Sequence, residues 1–269
     1  MKKTEPPLLL PLNERNLAHF LSALSLAGFA ARIPSVDASA RVCWWTDDGH
    51  FAVQTEFAPE DFRDKLFADA DKFLRALQWV QGLGGAAFGT LISGKEIGVN
   101  PFIALSGDTE ERPALRAFSA KVIPSTTLPA QIKILPSPTG CPAWLEQSAC
   151  GVSSWGFDCR VNTHASDAGI SSDAEKTSEF DPLFPVVELL GIAAAAFFVP
   201  THSWQIAKDK LRVAAWTKAI PLNMVTPVSA GRIHGLPARF YTFAYRGSAH
   251  GKGGAYHFFP EATPEHSPQ

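Results

Sequence analysis

Residues 8–28 read LLLPLNERNLAHFLSALSLAG, and the change of period inside this stretch decides the fold class. Leu8 to Leu12 is a short apolar run of the kind that makes a buried strand. Directly after it, Asn13 or Asn16 can cap a helix, because a short polar side chain satisfies amide groups that the first turn leaves without partners. Leu17, Phe20, Leu21, Leu24 and Gly28 then fall at helical spacing, and the helix is expected to run to about Arg32. A strand feeding directly into a helix calls for both kinds of element around one core.

The segments that follow extend this reading. Ala40 to Phe57 reads as a β-hairpin turning at Asp47-Asp48-Gly49. A helix begins near Pro59, carries Phe62, Leu66, Phe67, Phe73, Leu74, Leu77 and Val80 on one broad face, and stops at the glycine run 82–85. Between Lys121 and Pro142 five prolines forbid long regular elements, leaving an extended connection with an edge strand at Gln131 to Leu135. Residues 164–179 read as an acidic loop. A second strong helix follows, with Asp181 as its cap, Pro182 in its first turn and an apolar body from Val186 to Phe198. After Pro200 the pattern is extended again. The expected class is α+β, with mixed or antiparallel sheets and a few packed helices. Residues 1–260 form one elaborated domain, with 1–120 and 121–260 as its candidate lobes, and 261–269 form a flexible tail.

Charge is distributed unevenly over the 269 residues, although the formal net charge is only −2. From Trp204 to His257 there are eight Lys/Arg against one acid, Asp209, so a segment of net +7 joins a remainder of net −9. Such a segment suits a polyanion. If Lys210 to Lys218 is a strand, Lys210, Arg212, Trp216 and Lys218 share one face; in the next strand Arg239, Tyr241, Phe243 and Tyr245 do so. Between Arg246 and Tyr256 lies a glycine-rich loop containing His250 and Lys252, whose backbone can approach a phosphate closely. The candidate nucleic-acid contacts are therefore cations Lys210, Arg212, Lys218, Arg232, Arg239, Arg246 and Lys252, with His250 beside them. Trp216, Tyr241, Tyr245 and Tyr256 are candidate stacking rings. The rival reading places these rings and arginine stems on a half-buried sheet face.

Motifs for chemistry are sparse. The loop 247–254 lacks the spacing of a P-loop, and there is no HExxH pattern or GxSxG elbow. No catalytic residue and no cofactor is expected. His250 is the one candidate general base, for RNA cleavage beside Tyr245 or Tyr256. Glu188, inside the apolar helix, is expected to make a structural hydrogen bond, and His19 to be a satisfied, half-buried side chain. Cys43, Cys141, Cys150 and Cys159 lack close CxxC pairing, so ordinary thiols are expected. A zinc set of the last three with His164 is the weaker alternative, and no metal site is assigned. The N-terminal lysines before Leu8 resemble a signal peptide only superficially, because Pro11, Glu14 and Arg15 interrupt the apolar run. A cytoplasmic protein without a membrane partner is expected.

Two stretches carry a resemblance. Residues 13–28, NERNLAHFLSALSLAG, after an opening strand, and residues 180–191, FDPLFPVVELLG, leading to FFVP at 197–200, resemble type I-U (also called I-G) CRISPR-associated proteins of the Csb-three and large-subunit-like groups. The resemblance implies a ferredoxin-like lobe and a non-catalytic subunit of an RNA-guided effector complex. Its partners would be guide RNA, target DNA near the flanking motif, and other CRISPR effector subunits. The alternatives are a His-dependent endoribonuclease that processes repeat RNA and a scaffold that binds an acidic protein.

Overall fold

The computed structural model describes residues 5–34, 40–76, 131–138, 143–149, 158–160, 183–197, 205–207, 210–244, 246–248, 256–258 and 261–265. In chain order its named elements are β1 (Leu8–Leu10), α1 (Leu17–Arg32), β2 (Val42–Trp45), β3 (Phe51–Gln54), α2 (Pro59–Ala76), α3 (Ala143–Glu146), α4 (Pro185–Phe197), β4 (Gln205–Ala207), β5 (Lys210–Trp216), β6 (Ile220–Pro221), α5 (Val225–Ser229), β7 (Ala238–Ala244), β8 (Arg246–Ser248), β9 (Tyr256–Phe258) and β10 (Thr263–Pro264). The strands make two four-stranded antiparallel sheets, ordered β1-β3-β2-β6 and β10-β7-β5-β4, and the hairpin β8-β9. The fold is α+β.

The period change in residues 8–28 becomes β1 and α1, and Asn16 is the cap: its side-chain oxygen accepts from the Ala18 amide at 3.0 Å. Every residue of α1 from Leu17 to Ala30 is buried, so this helix is covered on all sides. On one side α4 crosses it. Ser22 Oγ donates to the Val187 carbonyl at 2.8 Å, and Ser25 Oγ donates to that of Leu190, so the small hydroxyls are satisfied across a close helix contact. On the other sides Phe20 stacks on Trp45 at 5.8 Å and meets Phe243 at 6.5 Å, while Phe29 meets Phe73 of α2 edge-on at 5.4 Å. Each such ring or leucine taken from water contributes about 1.5–3 kcal/mol. One apolar cluster runs from Leu10 to Ala262.

The far end of α1 is closed by Arg41. Its Nη1 donates to the carbonyls of Ala30 (2.5 Å) and Ile33 (2.7 Å), while Nε and Nη2 grip both Glu56 oxygens at 3.0 and 2.7 Å. A fully buried guanidinium is thus paired and also satisfies carbonyls that a helix end leaves open. The hairpin β2-β3 turns where Asp47-Asp48-Gly49 stands. Gly49 holds φ 82°, where a side chain would be strained even in this open space.

The succession β-α-β-β-α with β3 between β1 and β2 gives the first five elements of a ferredoxin-like lobe. The sheet is completed differently. Its fourth strand is β6, which arrives from far along the chain and lies against β2: Val42 faces Pro221 and Cys43 faces Ile220.

Three local expectations are corrected. Residues 131–133 are helical, with Ile132 and Leu135 both buried three positions apart and the Leu135 amide bonded to the Ile132 carbonyl, so the strand expected at Gln131 to Leu135 is absent. Here the prolines flank a turn that needs only three free amides. The second strong helix starts at Pro185, three residues after the proline expected in its first turn. The tail does not fray at residue 261. The Ala262 amide donates to the Arg15 carbonyl at 2.8 Å, β10 pairs with β7, and Ala262 is buried. Among the described residues no helix is long and apolar enough to cross a membrane.

Candidate nucleic-acid interface

The candidate contacts lie mainly on the β5-β7 pair, where Lys210 faces Ala244 and Trp216 faces Ala238 across seven consecutive positions. Alternation separates exposed Lys210 and Arg212 from buried Leu211 and Val213 but fails at Trp216, and the face that carries Tyr241 and Phe243 looks into the protein. Tyr241 is 5 % exposed and Phe243 is fully buried. Tyr241 donates its hydroxyl to Glu14 Oε1 at 2.5 Å, and Arg239 reaches the same carboxylate through Nε (2.7 Å) and Nη2 (2.8 Å). The Arg239 Nη2 also donates to the Thr46 carbonyl at 2.6 Å. Burial, and then the bond to Glu14, raise the Tyr241 pKa, so the phenol stays a donor. Trp216 is fully buried too: Nε1 donates to the Cys43 carbonyl at 2.8 Å, and the ring meets Phe51 edge-on at 6.2 Å. Burial likewise raises the Cys43 thiol pKa, against the opposing bond from Trp216. Tyr241 and the half-buried Arg239 are therefore corrected from nucleic-acid contacts to a face covered by the first sheet and the start of α1. Trp216, on the strand face of Arg212, is corrected to the interior because the end of β5 packs against β2 and β3.

The other face is open but partly occupied. Arg212 holds the Glu265 carboxylate through Nε (2.9 Å) and Nη2 (2.8 Å) and lies 4.5 Å over the Phe240 ring, while Thr242 Oγ1 donates to Glu265 at 2.7 Å. Gly231, at φ 67°, allows the ring of Phe240 to come close; a Cβ there would stand 3.0 Å from it. Lys210, Lys218 and Arg232 remain exposed, as does His234, and no carboxylate among the described residues pairs with these cations. Lys218 is carried next to the loop that bears Arg232 by the Thr217 amide, which donates to the Pro237 carbonyl at 3.0 Å. Lys210 stands at the opposite end of the strand pair.

Arg246 and Tyr256 are placed through their backbone in β8 and β9, where Arg246 faces Phe258 and Ser248 faces Tyr256. Tyr245, His250 and Lys252 lie outside the described residues, as do Cys141, Cys150 and His164 of the weighed zinc set. Among the described residues no group of three or more His, Cys, Asp or Glu side chains could hold a metal ion.

Sequence reasoning missed Glu14, the residue that turns Arg239 and Tyr241 inward; nothing local marks a carboxylate at a helix start as the partner of a strand more than two hundred residues away. Beside it lies a second buried polar group. Asp158 accepts from Asn16 Nδ2 at 2.8 Å and is chelated by Arg160, through Nε at 2.9 Å and Nη2 at 2.5 Å. Burial alone would raise the Asp158 pKa, but the Arg160 bonds and charge, with smaller help from His19 and Asn16, leave it lowered. His19 accepts the Asn13 amide at Nδ1 (2.9 Å), leaving Nε2 4.0 Å from Asp158; burial and then the Arg160 charge lower its pKa to about 4. It is a neutral structural imidazole at neutral pH. Glu188, fully buried in α4, accepts from Gln131 Nε2 at 2.8 Å, as a structural role requires.

Compared with known proteins, the chain matches no family model, no curated protein and no solved structure.

Proposed function

We propose that the chain is a non-catalytic nucleic-acid-binding protein that engages the phosphate backbone through exposed cations on and beside the β5-β7 pair, Lys210, Lys218 and Arg232. The carrying observation is that these cations have no carboxylate partner among the described residues and that the sequence contains no acid between Asp209 and Glu261. Exposed positive charge without a carboxylate partner is what attracts a polyanion and makes its binding depend on salt. The resemblance of residues 13–28 and 180–200 to type I-U proteins supports a more specific role: a subunit of a type I CRISPR RNA-guided effector, with guide RNA or target DNA as the polyanion. Phosphate contacts of this sort fix position and leave sequence reading to base pairing.

The test is a salt titration of affinity for labelled single-stranded RNA and duplex DNA. In Lys218→Glu/Arg232→Glu, affinity is expected to fall about tenfold or more, with the log–log salt slope reduced by about 1–2. Both side chains are exposed, so the melting temperature should barely move. Unchanged affinity and slope refute the interface. Cleavage of structured RNA by the purified chain, abolished by His250→Ala, would move the reading to an endoribonuclease.

A further inference from the structure

Seven of the described arginines, Arg15, Arg41, Arg63, Arg75, Arg160, Arg212 and Arg239, are held in ion pairs. Two lysines of α2 are not. Lys65 and Lys72 are exposed and face no carboxylate within ion-pair distance among the described residues. Seven positions apart, they stand two helical turns and about 10 Å from one another on the same side of α2. Both line an open groove of about 500 Å³ between α2 and the C-terminal end of α1, with Arg32 on the opposite wall. Asp69 is the one acid in the lining, so the wall is net positive.

The floor of this groove is apolar and includes a ring. Ile33, Pro34 and the half-buried Phe57 form it, with Lys65 Nζ 4.1 Å from the Phe57 ring centroid. An ammonium over a ring is attracted to the negative face of its π-system, and a flat base can replace it there while the ammonium moves to a phosphate. Cations at the rim above an apolar, aromatic floor match a nucleotide in both parts: the base is desolvated below and the phosphate is neutralised above. An acidic peptide matches the rim alone.

We infer that this groove is a second contact for single-stranded nucleic acid, seating one base against Phe57 and its neighbouring phosphates against Lys65 and Lys72. The inference rests on the nucleic-acid-binding reading and adds a site on a different part of the fold from the β5-β7 cations. Sequence reading passed over it because α2 was recognised by its buried face.

The test uses the full chain and a fluorescein-labelled twelve-nucleotide oligouridylate, titrated at several salt concentrations. Lys65→Glu/Lys72→Glu is expected to weaken binding about tenfold and to lower the log–log salt slope by about 1.4, at roughly 0.7 for each single-strand phosphate contact. If the charge reversals disturb α2, Lys65→Gln/Lys72→Gln serves in their place, with a loss of about threefold. An oligouridylate carrying 4-thiouridine should photocrosslink to the peptide containing Phe57. Unchanged affinity, slope and crosslinking pattern in these variants, while Lys218→Glu/Arg232→Glu still weakens binding, overturns the groove and leaves the wider reading intact. Failure of the wild-type chain to bind any nucleic acid overturns both. Displacement by poly-glutamate at equal charge concentration overturns the nucleotide assignment in favour of an acidic peptide.

Discussion

The two faces of the β5-β7 pair are built from the same kinds of residue and meet opposite fates. On one face Arg239 and Tyr241 close around Glu14, and Phe243 packs against Phe20. The other face and the adjoining loops leave Lys210, Lys218 and Arg232 in solvent. Cation-and-ring alternation is therefore no sign of an outward face. What separates them is cover supplied from elsewhere: Glu14 and Phe20 close one face, whereas on the other Glu265 pairs with Arg212 at the surface and leaves Lys210 exposed.

The strongest way to break this comparison is Trp216→Ala. A ring that served nucleic acid from the surface could be removed at little cost to folding, whereas a fully buried tryptophan should cost about 4 kcal/mol, read from the urea midpoint. A loss below about 1 kcal/mol would return Trp216 to the surface. Next comes acid titration of the interior polar group. His19 binds its proton at about 4 in the folded chain and near 6.5 when unfolded, so the unfolded state holds more protons between those values. Stability should be full above pH 6.5 and fall by roughly 3 kcal/mol as the pH drops to 4, and His19→Gln should flatten that slope. The smallest effect is that of Glu14→Gln, which keeps the shape but removes the charge facing Arg239 and Tyr241. It is expected to cost about 2 kcal/mol by chemical denaturation while leaving nucleic-acid affinity unchanged. A gain in affinity would mean that Arg239 had been freed to reach the ligand.

Legibility followed the range of the interaction. The α1 cap, the turn at Gly49 and the apolar face of α2 depend on neighbours within a few positions, and periodicity with turn chemistry located them. The pairing of β2 with β6, the Glu14 contacts and the return of residues 261–265 to β7 join segments remote in sequence, for which no local pattern exists. Candidate site residues divided in the same way. Strand periodicity placed Lys210 and Arg212 on one face, but whether that face met solvent, Glu265 or the core was decided by chain elsewhere. Lys65 and Lys72 were overlooked for the converse reason, as a charged helix face is ordinary solvent-exposed surface until a groove is seen beside it.

The placement of β6 bears on how the chain is made. Residues 8–76 leave the ribosome early and can build three strands and two helices, but the edge of β2 stays without its partner until residues 220–221 have been synthesised. A nascent lobe with one unpaired edge can pair with other chains until that strand arrives. Closing the contact then requires a loop of more than a hundred residues, which makes folding slow compared with a lobe that supplies its own last strand.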